Sequence, residues 1–275
     1  MHILTSKWLK LAAAGMILCG GLGMARASEA RLVLTGSSTV APLALELAKR
    51  FEQRNPGVRI DVQAGGSSRG VADARSGTAD IGMASRALNS DEQDMIAHQI
   101  ATDGVAMIVH RANTVPALTD RQIIAIYTGK VANWKEVGGD NGRITVVNKA
   151  EGHSTLELFL HHFGLKNSAI KALVVIGDNE QGIKTVAGSP GAIGYVSVGT
   201  AEYDAAHGAA IRLLPMDGVP ASVANVANGQ FKFSRPLNLV THGAPSGWAK
   251  RFIEFAQSEQ VHDLVQAQFF VPLAH

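Results

Sequence analysis

The sequence holds one cysteine, Cys19, in 275 residues, so no disulfide can form within the chain and core burial must supply its stability. Beyond residue 27 no apolar run reaches the roughly 18 residues a membrane-spanning helix needs. A soluble chain is expected from that point on. Excess charge is lacking too: 25 basic residues stand against 23 acidic ones, which leaves no electrostatic ground for nucleic acid or a membrane surface as partner. No internal repeat and no low-complexity linker interrupts the Ala- and Gly-rich sequence.

What is present begins with Lys7 and Lys10 ahead of an apolar stretch, Leu11 to Leu22, that ends in Ala25-Arg26-Ala27. This order of features reads as a secretory signal peptide over residues 1–27. Leu18 occupies the position where lipid attachment to Cys19 would want a small side chain. Cleavage removes three basic residues and no acidic one, leaving 22 against 23 over 248 residues, and the cysteine leaves with the signal.

From Arg31 the pattern alternates between strand and helix periods. RLVLT reads as a strand, Pro42 to Arg54 as a helix with Leu43, Leu47 and Phe51 on one stripe, and VRIDV as a second strand. Val71 to Ser76 reads as a short helix closed by Gly77, and ADIGMAS as a strand. Ser90 with Gln93, and Thr119 with Gln122, have capping-box spacing, which predicts helices from near Asp91 and Asp120. The apolar runs Gly104 to His110 and Pro236 to Thr241 flank a self-contained α/β segment and read as lobe crossings. That segment carries ITVV, an amphipathic helix (Leu156, Phe159, Leu160, Phe163) ended by Gly164, then LVVIG and GAIGYVS. Ser246 to Phe270 is helical by period, with Phe252, Phe255, Ala256 and Leu264 facing inward. The expected fold class is α/β with two lobes, residues 28–108 plus 238–275 and residues 109–237, and a ligand cleft between them.

Three loops carry the chemistry: Thr35 to Pro42, Ala64 to Gly70 and Glu151 to Glu157. Each follows a strand-like run and opens a helix-like one, so each offers unpaired N–H groups, small hydroxyls and the positive end of a helix dipole. One such loop is an ordinary turn and cap. Three at the carboxyl ends of strands point to one oxyanion. At about 1.5 to 3 kcal/mol per hydrogen bond to a charged group, about four to six bonds reach the ~8 kcal/mol of micromolar binding. Arg69, Arg86, Lys149 and His153 lie beside these loops and add attraction. A G-x-S-x-G match at Gly66, Ser68 and Gly70 raises a serine hydrolase as the enzymatic alternative, although such a pentapeptide arises readily among 29 glycines. His153, His161 and His162 fit no usual metal-ligand spacing.

GSSTVAPL, ELAKRFEQRNPGVRIDVQAGGSSRG, ADIGMASR, IYTGKVANWKEVGG, SPGAIGYVSVG and SRPLNLVT together closely resemble the periplasmic phosphate-binding proteins of the high-affinity phosphate ABC transporter. The resemblance implies a two-lobed periplasmic-binding-protein fold of type II that closes over a dehydrated phosphate. It also implies a monomer in the periplasm, an ABC permease as membrane partner, no cofactor and no catalysis. Carried over by position, Ser38, Thr39 and Val40 of the first loop and Ser67 with Ser68 of the second should donate to the anion, with Ser85 and Arg86 after the DIG-like strand. The third loop departs from the family pattern. Lys149 stands where an Arg is usual, and His153-Ser154-Thr155 where Ser-Gly-Thr is usual. A selectivity carboxylate found in one branch of the family is replaced by the stretch ending in Arg86. Phosphate is therefore the leading ligand, with sulfate, molybdate, arsenate or a phosphonate as alternatives within the same fold, and an extracytoplasmic sensor as the alternative role.

Overall fold

The computed structural model describes residues 30–274, and the expected signal peptide lies outside them. The elements in chain order are β1 (Ala30–Gly36), α1 (Ala41–Arg54), β2 (Val58–Ala64), α2 (Ser67–Ser76), β3 (Ile81–Ala84) and β4 (Met95–His110). Then come α3 (Asp120–Tyr127), β5 (Thr145–Lys149), α4 (Ser154–Phe163), β6 (Val174–Ile176), α5 (Asn179–Ala187), β7 (Ala192–Ser197) and α6 (Val198–Ala206). The chain ends with β8 (Ile211–Leu213), α7 (Val223–Ala227), β9 (Ser234–His242), α8 (Gly247–Ala256) and α9 (His262–Ala267).

Strands follow the hydrogen-bonded order β2-β1-β3-β9-β4-β7-β5-β6, with β8 on β4. The sixteen-residue β4 makes two lobes out of this order. Its first part pairs antiparallel with β9, from Met95 opposite His242 to Gly104 opposite Ser234, and its last part pairs with β7, from Val105 opposite Ser197 to Val109 opposite Ile193. The apolar cores divide at the same place. Leu34, Leu43, Phe51, Ile100, Leu239 and Phe252 fill the first, whereas Met107, Tyr127, Phe159, Tyr195 and Phe233 fill the second. A smaller cluster backs the opposite face of each half-sheet, at Val71, Ala84 and Val240 in one lobe and at Val147, Ile183 and Val196 in the other. Each lobe is thus a sheet covered by helices on both faces. Phe51 meets Phe252 edge-on at 5.4 Å, and Phe159 stacks on Tyr195 at 4.1 Å; truncating such a ring typically costs about 3–5 kcal/mol.

The sequence periods locate most elements, and the differences have local causes. Thr119 caps α3 with the reciprocal Gln122 bond, as its spacing predicts. No helix starts near Asp91. There the Glu92 carboxylate accepts from both terminal nitrogens of Arg86 (2.7 and 2.8 Å) and from the Asn89 N–H (2.7 Å), so the segment folds as a turn around a buried charge and leads into β4. Helix α2 begins at Ser67, four residues before the expected start, which puts Ser67 and Ser68 in its first turn. The C-terminal helical stretch is broken between α8 and α9 at Gln257 and Ser258, where a short 3-10 turn follows.

Candidate functional site

The three Gly/Ser/Thr loops meet at the cleft. Ser37, Ser38 and Thr39 from the first, Gly66 and Ser67 from the second, His153, Ser154 and Thr155 from the third, and Ser85 after β3 line one small, tightly closed pocket. The N-termini of α1, α2 and α4 point at it, and none is capped by its own N-cap side chain. By contrast, Thr119, Asp178, Ser197 and Ser222 cap α3, α5, α6 and α7. Helix α8 also starts without a side-chain cap, so it is the convergence of three helix starts on one pocket that offers N–H groups and dipole to a ligand.

Glycine allows the loops to approach. Gly66 has φ 97°, and a Cβ there would stand 2.6 Å from the Gly152 carbonyl of the opposite lobe. The next contact across the cleft is the Ser68 N–H donating to that carbonyl at 3.2 Å. Gly70 lets α2 lie on β1, because its Cβ would come within 2.6 Å of the Thr35 carbonyl.

Hydroxyls form a connected network in the pocket. Ser37 donates to Ser85 (2.9 Å), and Ser85 shares a 2.5 Å hydrogen bond with Ser154 of the other lobe. The Ser67 hydroxyl accepts from the Ser85 N–H at 3.1 Å and fixes the end of β3 to the start of α2. Thr39 accepts from the Asn179 amide at 3.1 Å. Behind this layer sits Arg235, a β9 residue only 2% exposed. Its Nε and one terminal nitrogen donate to Asp103 Oδ2 (3.2 and 2.9 Å), and its terminal nitrogens also reach Thr155 (2.9 Å), Ser85 (3.3 Å) and Thr39 (3.3 Å). Asp103 in turn accepts the Gly199 N–H at 3.2 Å.

Lys149 is buried to the same degree, and its ammonium donates to Asn179 Oδ1 at 3.1 Å. Burial, and then the neighbouring Arg235 charge, push its pKa down to about 7 against the opposing pull of Asp178. Burial and then Lys149 also hold the His153 imidazole below its usual range. Arg235 is paired with Asp103, Lys149 feels Asp178 without an ion pair to it, and no carboxylate lines the pocket. The balance favours an anion.

Of the residues singled out from sequence, Ser38, Thr39, Ser67, Ser85, His153, Ser154 and Thr155 reach the pocket wall, and Lys149 stands behind it. Val40 does not reach it: its side chain belongs to the first core and its N–H donates to Ser37 Oγ at 3.3 Å. Ser68 turns its hydroxyl to Glu157 at 2.7 Å. Arg86 is bound by Glu92 and by Glu157, so its charge is spent on carboxylates. Ser37, Asn179 and Arg235 went unread. Ser37 was legible from its place in the first loop; Arg235, nearly eighty residues beyond the third loop, carried no local signal of a site role.

A model of the PBP superfamily domain matches residues 24–260. The chain belongs to the PBP superfamily. Within that superfamily, the phosphate-binding protein PstS of Bacillus subtilis is 30% identical to it over 290 residues, covering 99% of this chain and 93% of its relative. A phosphate ABC transporter substrate-binding protein from Clostridium perfringens, solved with bound phosphate, superposes with a TM-score of 0.82 at 33% identity, covering 89% of this chain and all of that one. An ABC-type phosphate transport receptor from Vibrio cholerae gives 0.74 at 28% identity with the same coverage. These neighbours share the two-lobed α/β fold and the interlobe cleft of this superfamily member.

Proposed function

We propose that the protein captures inorganic phosphate outside the cytoplasm and delivers it to an ABC permease, acting as a monomer without a chemical step. The observation that carries this reading is one small pocket walled by hydroxyls and three helix N-termini, with buried Arg235 and Lys149 behind it and no carboxylate in its wall. The names of its relatives support phosphate. A leader over residues 1–27 fits export. The lobe limits proposed are residues 28–104 plus 235–275 and residues 105–234, a few residues from those expected from sequence, and the hinge is the β4–β9 pair around residues 102–104 and 234–236, where strand partners change. The anion would draw the lobes together, and closure is what a permease reads.

Calorimetric titration with phosphate and then sulfate, on protein stripped of bound ligand by unfolding and refolding, tests the ligand. Micromolar phosphate binding is the expected result; no heat with a folded sample removes phosphate. A pocket wall without a carboxylate also favours a second reading, a site open to other tetrahedral oxyanions. Sulfate binding within tenfold of phosphate would select it. Scattering curves that coincide with and without saturating phosphate would remove the hinge.

A further inference from the structure

Outside the pocket, a second set of bonds spans the cleft. Glu157, in the first turns of α4, reaches from the second lobe to two residues of the first. Its Oε1 accepts from the Ser68 hydroxyl at 2.7 Å, and its Oε2 forms an ion pair with Arg86 Nε at 2.6 Å. Arg86 is only 3% exposed and is already satisfied within its own lobe by both Glu92 oxygens and by the Ala87 carbonyl. The Asn238 amide holds the Arg86 carbonyl at 2.8 Å, so its backbone is anchored to β9. Neither Arg86 nor Glu157 lines the pocket. The guanidinium is therefore a fixed receptor whose remaining edge accepts a carboxylate from the other lobe. That contact exists only when the lobes are together.

We propose that Glu157 is a latch on the closed lobes, a positioning residue that sets how slowly the anion leaves without touching it. This rests on the reading that the lobes close over an anion. The Glu157 side chain is about one-third exposed, which keeps the pair at the cleft rim and reversible, and the Arg86–Glu92 pair needs no rearrangement when it opens. The latch adds to the stability of the closed state, so weakening it raises the apparent dissociation constant through faster release, while the encounter with the open lobes is unchanged.

The test is phosphate-release kinetics by stopped flow for the wild type, Glu157→Gln, Glu157→Ala, Ser68→Ala and the double variant Ser68→Ala/Glu157→Ala. Glu157→Gln keeps a hydrogen-bond acceptor and loses the charge, so release should quicken by about fivefold, and by about tenfold in Glu157→Ala, at an unchanged association rate. The double variant should release little faster than Glu157→Ala, because both substitutions remove the same bond. A purely structural role would lower the thermal midpoint without separating release from association. Release at the wild-type rate in Glu157→Ala overturns the latch. Should the wild type bind no phosphate, the ligand reading fails on its own and the latch is decided by interlobe distances. Spin labels at Lys49→Cys and Lys166→Cys, with Cys19→Ser, must then show a closed population that Glu157→Ala removes; identical distance distributions overturn it.

Discussion

Two buried arginines flank the same cleft and do opposite things. Arg86 is shared between Glu92 and Glu157, so its neighbourhood carries one negative charge in excess. Arg235 is ion-paired with Asp103 alone, and Lys149 beside it adds positive charge to that neighbourhood. Burial of both side chains is nearly equal. The anion site is therefore decided by the number of carboxylates each guanidinium meets, and the positive end of the cleft lies under Thr39 and Thr155 rather than beside β3. Arg86 closes the lobes on each other; Arg235 supplies charge to what lies between them.

Removing Arg235 breaks this contrast most completely. Arg235→Met should weaken phosphate binding by roughly a hundredfold or more, since it deletes the cation and leaves Asp103 buried and unpaired at a cost of about 3–5 kcal/mol. Arg235→Met/Asp103→Asn keeps the test clean: the second change relieves the stranded carboxylate and should restore thermal stability while the affinity stays lost. Calorimetry with a melting curve on each variant separates the two effects, and retention of wild-type affinity in the double variant would show that Arg235 is only a scaffold.

Lys149→Met is the next largest. It should cost phosphate affinity about thirtyfold, close to the ~2 kcal/mol of a charge-assisted hydrogen bond. It should also raise the melting temperature measured without phosphate, because a buried ammonium whose pKa has fallen to about 7 opposes folding at neutral pH. A lower midpoint would contradict the charge balance drawn for Arg235 and Lys149.

The difference between the arginines also shows what the sequence can carry. The Thr119 cap and the Gly77 and Gly164 stops are local signals, and each is found where it was read. The three loops were legible for the same reason: a Gly/Ser/Thr turn between a strand and a helix is a short-range pattern. The partner of a buried charge is not short-range. Arg86 stands beside a loop in sequence yet turns to a carboxylate six residues on, and the same carboxylate removes the helix expected near Asp91. Arg235 stands far from every loop in sequence and is carried to the pocket by β9 pairing with β4. Thr155 ties these lines together, since it was read from its loop and is found accepting from Arg235.

Thr155→Ala sharpens the comparison at single-bond scale. It removes one pocket hydroxyl and one Arg235 acceptor, and phosphate affinity should fall by about tenfold, the ~1.4 kcal/mol of one bond to a charged group. Ser68→Ala, whose hydroxyl faces Glu157 and not the pocket wall, should change equilibrium affinity less. Equal losses in the two titrations would erase the distinction between pocket and rim.

The smallest effect is in pH, and it separates the two cations from each other. Sulfate is the suitable probe because its own charge is constant above pH 5, whereas phosphate titrates in the window of interest. An anion favours the charged form of Lys149, so binding should be strongest below the lysine's pKa and weaken as pH rises through it. With that pKa at about 7 in this closed geometry, sulfate affinity should fall by about threefold between pH 6 and pH 7.5. His153 is held below its usual range, so any contribution from its protonation is confined to the acid end and has the same sign. Arginine side chains do not titrate in this range. Lys149→Arg should therefore flatten the profile above pH 7 while leaving the Arg235 contribution in place. A wild-type profile already flat from pH 7 to pH 9 would mean that Lys149 takes up no proton when the anion binds and is not the group that couples affinity to pH.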